Sequence, residues 1–221
     1  ILDEDKKIGN ITKIIERDNS LIRPAVANID QAMVIFAVKS PAPNLNLLDR
    51  FLVMMETQNI ESVICFNKVD LVNGDEIEEL RATYNKAGYK VIFASTTEKI
   101  GLEEVYETLK GKTTAFAGPS GVGKSSMLNA IVPDVKMETG EISRKIERGK
   151  HTTRHTEIFN LEKDTYIMDT PGFSSVYAWA LEKEELRYYF PEFSKFEGKC
   201  RFNGCVHVNE PDCMVKGAVS E

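Results

Sequence analysis

Apolar residues run without interruption from Ala32 to Val38, and within that run Met33 to Val38 has the pattern of a strand buried on both faces in a parallel sheet. The period then changes to that of a helix over 45–56, where Leu48, Phe51, Leu52 and Met55 share one face. A second apolar run predicts a strand over 62–66. A helix over about 75–86 follows, with Ile77, Leu80, Tyr84 and Ala87 on one face, and then a strand over 90–94. A helix over 102–109, a strand over 113–117 and a helix over 124–131 continue the alternation. Strands and helices at this spacing predict a doubly wound α/β sheet.

The pattern changes on both sides of that block. Residues 1–24 alternate polar and apolar positions, as in Gly9-Asn10-Ile11-Thr12-Lys13-Ile14-Ile15, and predict one or two short antiparallel strands left over from a small barrel. Residues 134–155 hold few large apolar side chains and a local excess of Lys and Arg, which reads as a mobile surface segment. Paired strands are expected over 157–161 and 165–169, then a loop after Gly172, a helix around 181–188 and a cysteine-bearing tail. The expected division is 1–24 for the barrel remnant, 25–177 for the α/β domain and 178–221 for a small C-terminal domain.

A chain of 221 residues, 42% hydrophobic, can build one mid-sized domain and a small appendage. Its net charge of −6 argues against wholesale coating of nucleic acid, though one basic face remains compatible with it. The longest apolar run is far too short to cross a bilayer, and no secretory leader stands at the start. A cytoplasmic protein with no membrane partner is the expectation. The first residue is Ile1 and no terminal cap is visible near Glu221, so a fragment trimmed at both ends is expected. Of the four cysteines, three crowd the last quarter, which favours metal binding over disulfides.

The chemistry centres on Gly118-Pro119-Ser120-Gly121-Val122-Gly123-Lys124-Ser125, followed by Ser126. It fits G-x-x-x-x-G-K-[ST] between an expected strand and an expected helix, the context in which that motif binds phosphates. The glycines let backbone N–H groups turn toward phosphate oxygens at a helix N-terminus. Lys124 would reach the outer phosphates and the Ser125 hydroxyl would ligate magnesium.

Asn67-Lys68-Val69-Asp70 follows an expected strand, at the end where such sheets bind ligands. The Asp70 carboxylate can accept two hydrogen bonds from guanine. Adenine would leave it unpaired, at a cost of a few kcal/mol. Lys68 can lay its stem against the base, and Asn67 can tie this loop to the phosphate loop. Ser95 and Thr96 could offer backbone N–H groups to the guanine oxygen. Asp169-Thr170-Pro171-Gly172 ends another strand, with Asp169 placed to hold magnesium through water and Gly172 to donate to a γ-phosphate. Between these motifs, Gly149-Lys150-His151-Thr152-Thr153-Arg154 offers Thr153, with Thr152 beside it, to complete the magnesium shell and order the loop.

The order of these motifs is itself informative. The guanine-reading motif precedes the phosphate loop, the reverse of the usual order, which indicates a circular permutation. The segment after Gly172 then leads directly into the C-terminal domain. There, Cys200-x4-Cys205-x-His207-x5-Cys213 supplies three thiolates and an imidazole, a tetrahedral zinc set with all positions filled and hence structural. Two disulfides would leave His207 without a role. Cys65 reads as a core residue.

Together, G-P-S-G-V-G-K-S, G-K-H-T-T-R, D-T-P-G and Cys-x4-Cys-x-His-x5-Cys in permuted order resemble the RsgA (YjeQ) family, from about Asn10 to Glu221. These are bacterial circularly permuted GTPases that act in maturation of the small ribosomal subunit. The resemblance implies an N-terminal OB-fold, present here only as the 1–24 remnant, a central GTPase domain and a zinc-bearing C-terminal domain. It implies GTP hydrolysis to GDP stimulated by the small subunit, Mg²⁺ with GTP or GDP, one structural Zn²⁺, and a monomer whose partners are that subunit and its rRNA. It also implies that Phe173 stands where other GTPases carry a water-positioning glutamine, and that His151 resembles the histidine proposed to take over that task. An alternative role for His151 is contact with RNA or solvent. Two other readings of the whole are a P-loop ATPase or small-molecule kinase, and a zinc-dependent RNA-binding module with a vestigial nucleotide site.

Overall fold

The computed structural model describes residues 2–3, 8–9, 12–21, 25–132, 156–170 and 181–220. Six strands form the central sheet: β1 Gln31–Ala37, β2 Glu61–Asn67, β3 Lys90–Ala94, β4 Thr113–Ala117, β5 Glu157–Glu162 and β6 Thr165–Asp169. Their order across the sheet is β3-β2-β1-β4-β6-β5, with every neighbouring pair parallel except β5 and β6. The helices between them are α1 Leu45–Glu56, α2 Gly74–Lys86, α3 Leu102–Leu109 and α4 Lys124–Ile131.

Burial on both faces explains the continuous apolar runs. In β1, Ala32, Val34 and Phe36 enter one core, while Met33, Ile35 and Ala37 enter the other. Helices α1 and α2 cover the first face through Leu48, Phe51, Met55 and Tyr84; α3 and α4 cover the second through Val105, Leu109, Met127 and Leu128. Asn44 starts α1 by accepting from the Leu47 N–H at 3.1 Å. The α2 stripe is thinner than its sequence suggests. Only Tyr84 is fully buried there, Ile77 and Leu80 pack from the edge, and Ala87 caps the helix end. The Tyr84 hydroxyl donates to Asp49 of α1 at 2.9 Å, tying the two helices together.

Strand β1 begins at Gln31, one residue before its apolar run. Gln31 is fully buried, yet its amide donates to the Thr108 carbonyl and the Thr114 hydroxyl, each at 2.9 Å, and accepts from Lys112 at 2.9 Å. A buried amide is tolerated where its hydrogen bonds are made.

The connections place the site. The chain fills one half of the sheet outward, from β1 through β2 to the edge strand β3. Helix α3 then returns past β2 and β1 to lay β4 beside β1. The phosphate-loop strand is thus central in the sheet and central in the sequence. This is the permuted connectivity.

At the N-terminal side, Leu2–Asp3 pairs with Ile8–Gly9 and Ser20–Leu21 with Val26–Ala27, both antiparallel. They form two separate ladders, and no barrel closes among the described residues. The expected helix at 181–188 is shorter than its pattern suggests. It spans only Lys183–Leu186 (α5) and tightens into a 3₁₀ turn at Arg187–Tyr189. None of the α5 residues is buried, so no packing extends the helix, and Pro191 follows closely. Helix α6, Met214–Ser220, ends the described chain. No described helix is long and apolar enough to cross a membrane.

Candidate active site and metal centre

The described motif-bearing loops at 67–70, 95–96, 118–123 and 169–170 follow the carboxyl ends of strands β2, β3, β4 and β6. Strand β4 leads into Gly118, whose φ is 151° and where a Cβ would meet the Ile35 carbonyl oxygen at 2.1 Å. Only glycine lets the loop pass so close to β1. Helix α4 begins at Lys124 with Gly123 as its N-cap, at φ 99°, and no side chain caps its first turn. The N-terminal end of its helix dipole therefore faces the loop mouth, which suits an anion. The Lys124 ammonium folds over that mouth and donates to the carbonyls of Gly118 and Pro119 at 2.8 and 2.9 Å.

The guanine-reading loop interlocks with this cradle. Asn67 at the end of β2 is fully buried and donates from Nδ2 to the Val122 carbonyl at 2.9 Å. Its Oδ1 is buried with no partner among the described residues, and an acceptor so placed suits a donor on an incoming ligand. Lys68 takes a left-handed backbone, φ 66°, which sends Nζ across to the Gly121 carbonyl at 2.8 Å and to the Ser40 carbonyl. Asp70 lies in the 3₁₀ turn Val69–Leu71 with its carboxylate exposed and one oxygen held by the Ser95 hydroxyl.

That last contact brings a correction. The Ser95 backbone N–H does not face a ligand. It donates to the Ile100 carbonyl at 3.0 Å, and Ile100 N–H returns the bond, closing the 95–100 turn. Ser95 contributes through its hydroxyl, by orienting Asp70. Thr96 beside it is half-buried.

Asp169 ends β6 on the far side of the phosphate loop. Burial pushes its carboxyl above the usual carboxylate range, partly opposed by the nearby Lys124 ammonium. Its Oδ1 is buried without a partner among the described residues. Thr170 next to it donates its hydroxyl to the Phe116 carbonyl at 2.6 Å, anchoring this loop to β4. Ser125 is half-buried in the first turn of α4. Thr152, Thr153, His151, Gly172 and Phe173 lie outside the described residues.

In the C-terminal part, the ligand atoms of Cys200, Cys205, His207 and Cys213 all lie within 4.8 Å of one another. His207 Nδ1 stands 3.3 Å from the sulfurs of Cys205 and Cys213 and 3.7 Å from that of Cys200. Phe193 packs edge-on against its ring at 5.4 Å. Four soft donors converging on one point can hold a metal ion. The remaining cysteine, Cys65, is buried in β2, and burial pushes its thiol up to about 12, as expected of an inert core residue.

The family model described as RsgA GTPase matches residues 14–179. The chain belongs to the RsgA GTPase family. "Small ribosomal subunit biogenesis GTPase RsgA" of Agathobacter rectalis is 58% identical over 221 residues, covering all of this chain and 73% of that protein. The protein of the same name from Alkaliphilus metalliredigens is 54% identical over 219 residues, 99% of this chain and 75% of that one. Among solved structures, YjeQ from Thermotoga maritima superposes with a TM-score of 0.79 at 36% identity, covering 99% of this chain and 74% of that one. YloQ, described as a circularly permuted GTPase, superposes with a TM-score of 0.73 at 40% identity, covering 94% and 67%.

The chain is thus a member of a GTP-hydrolysing family with a permuted sheet. Three contributors to its site are not legible in the motifs. Ser40 acts through a backbone carbonyl, which no residue type encodes. Thr170 sits within D-T-P-G, yet its hydroxyl serves a neighbouring strand. Ser95 was legible as a residue but not in its role, because a bridge to Ile100 consumes its N–H.

Proposed function

We propose that this chain binds GTP across Asp70 and the 118–126 loop, hydrolyses it to GDP and phosphate, and serves biogenesis of the small ribosomal subunit. The observation that carries the proposal is the interlock at Asn67. One buried side chain joins the loop that would read guanine to the loop that would hold phosphate, so both halves of the ligand meet a single preorganised unit.

The chain's own residues supply most of what phosphoryl transfer needs, which is positioning and charge stabilisation. Asp70, oriented by Ser95, accepts from the guanine edge, and Thr96 offers its backbone N–H to the guanine oxygen. Lys68 braces the phosphate loop. The N–H groups of 118–126 wrap the β-phosphate, and Lys124 exchanges its two carbonyl partners for phosphate oxygens. Ser125 and Asp169 are the residues to hold Mg²⁺, and the unpartnered Asp169 Oδ1 fits a cation shell. When bound, that ion would neutralise charge on the transferring phosphoryl group. Among the residues outside those described, Thr153 would complete this shell, Gly172 would donate to the γ-phosphate and His151 would orient the attacking water in place of a glutamine, since Phe173 has no polar atom to do so.

The C-terminal set of Cys200, Cys205, His207 and Cys213 holds one structural Zn²⁺. The proposed division is 1–24, 25–177 and 178–221, in a cytoplasmic monomer that touches the small subunit and its rRNA. The test is GTP turnover by the full-length protein with and without small subunits, alongside Lys124→Ala. Equal turnover in the two conditions rules out subunit-stimulated hydrolysis.

A further inference from the structure

The segment 38–44 between β1 and α1 passes beside the nucleotide cradle with little packing of its own. Lys39, Ser40, Pro41 and Ala42 are all exposed. Its two ends are anchored: the Val38 N–H donates to the Asn67 carbonyl at 2.9 Å, and Asn44 caps α1. Between those anchors the Ser40 carbonyl accepts from the Lys68 ammonium, which also donates to the Gly121 carbonyl at 2.8 Å. One cation therefore joins this segment to the phosphate loop. The two also approach closely, since a Cβ added to Gly121 would lie 3.9 Å from Pro41 Cδ.

Backbone conformation aims this contact from both ends. Ser40 stands at φ 54° and Lys68 at φ 66°, in the left-handed region that residues with a Cβ enter only at a cost. Such conformations persist where surrounding contacts hold them, and ligand clamps are among the places where they gather. A return of Ser40 to an ordinary backbone conformation would swing its carbonyl away from Lys68. The ammonium would then keep only its Gly121 partner, and the exposed segment would lose its hold between Val38 and Asn44.

We propose that Ser40 is a positioning residue of the GTP site: its left-handed backbone presents the carbonyl that holds Lys68 against the phosphate loop, and this hold slows release of bound nucleotide. The assignment rests on the GTP-binding reading above and names a residue that sets the lifetime of the complex. A Gly121 carbonyl engaged by an ammonium cannot swing toward a phosphate, where its oxygen would repel the anion. Lys68 is steadied in that task by its second acceptor. Ser40 touches no part of the nucleotide in this scheme and acts through Lys68 alone.

The test measures dissociation of a fluorescent GDP from the full-length protein with Mg²⁺, chased by unlabelled GDP. Ser40→Val introduces a β-branched residue that the left-handed region strongly disfavours, and it speeds release by about threefold to tenfold. Ser40→Gly adopts that region freely and has no hydroxyl, and it keeps the parent rate. Lys68→Met also speeds release, and adding Ser40→Val to it changes nothing more, a non-additivity that general damage to the fold would not produce. Equal release from Ser40→Val and the parent overturns the positioning role and leaves GTP binding standing. Release from Ser40→Gly as fast as from Ser40→Val assigns the effect to the hydroxyl and overturns the role as well. So do fully additive effects of Ser40→Val and Lys68→Met. A parent protein that binds no guanine nucleotide overturns the GTP reading and this role with it.

Discussion

Asn67 and Gly123 are in such close approach that a Cβ added to Gly123 would lie 2.3 Å from the Asn67 Nδ2. Fifty-six residues apart in sequence, they bring the end of β2 against the N-cap of α4, where Asn67 donates to the adjoining Val122 carbonyl. The base-reading half and the phosphate-holding half of the site therefore share one contact.

Gly123→Ala is expected to damage both halves together. A left-handed alanine costs about 1–2 kcal/mol, and the clash displaces Asn67 as well. GTP and GDP affinities should both fall by at least about tenfold, since each 1.4 kcal/mol is a factor of ten. Titration with a fluorescent guanine nucleotide checks this, and unchanged affinity would show that the two loops act independently.

Asp70 and Ser95 separate by size of effect. Asp70→Ala removes the guanine acceptor and should reduce the preference for GTP over ATP by about 10- to 100-fold. Ser95→Ala leaves the carboxylate in place but unoriented, a loss of about 1 kcal/mol, or roughly fivefold. Competition of the two nucleotides for the site measures both. A Ser95→Ala effect as large as that of Asp70→Ala would restore a direct role for Ser95.

The raised carboxyl of Asp169 predicts a pH dependence. Its charged form is what a cation needs, and burial makes that form harder to keep. Mg²⁺ support of nucleotide binding should be full above the raised pKa and lost as pH falls through it, at a higher pH than for an ordinary aspartate. Asp169→Asn should weaken Mg²⁺ support at all pH values and remove this component. Isothermal titration across pH, with and without the substitution, decides the point; identical profiles would remove Asp169 from the cation shell.

Removing the C-terminal metal should loosen that module alone. Its own apolar cluster is small, with Cys205, Cys213 and Val215 at its centre, so metal binding and folding are coupled there. A chelator should expose Cys200, Cys205 and Cys213 to a thiol reagent while Cys65, wholly buried in β2, stays protected. Mass-spectrometric labelling reads this out, and three reactive thiols before chelation would contradict the metal assignment.

The sheet was legible because strands buried on two faces write continuous apolar runs, as at 32–38, and helices between them write their own period. Motif spacing gave the permutation, since the relative order of Asn67–Asp70 and Gly118–Ser125 is a property of the sequence itself. Contacts made by backbone groups were not legible. Ser40 serves Lys68 through its carbonyl, and the N–H of Ser95 is spent on Ile100. Charged residues with good helix propensity over 181–188 carry no information about whether anything packs against them, and the α-helix closes at Leu186. Gln31 joins β1 ahead of the apolar run because three buried hydrogen bonds satisfy its amide, and no residue type announces those partners.

The central claim is that this GTP site answers to the small ribosomal subunit. The most direct measurement is steady-state phosphate release by the full-length protein with GTP, in the presence and absence of purified small subunits. Supply of a missing group or a reordered loop by a partner accelerates GTPases by orders of magnitude, so stimulation of at least about tenfold, abolished by Lys124→Ala and absent with ATP, is the result expected. Turnover that is indifferent to small subunits, or equal for ATP and GTP, would contradict the account.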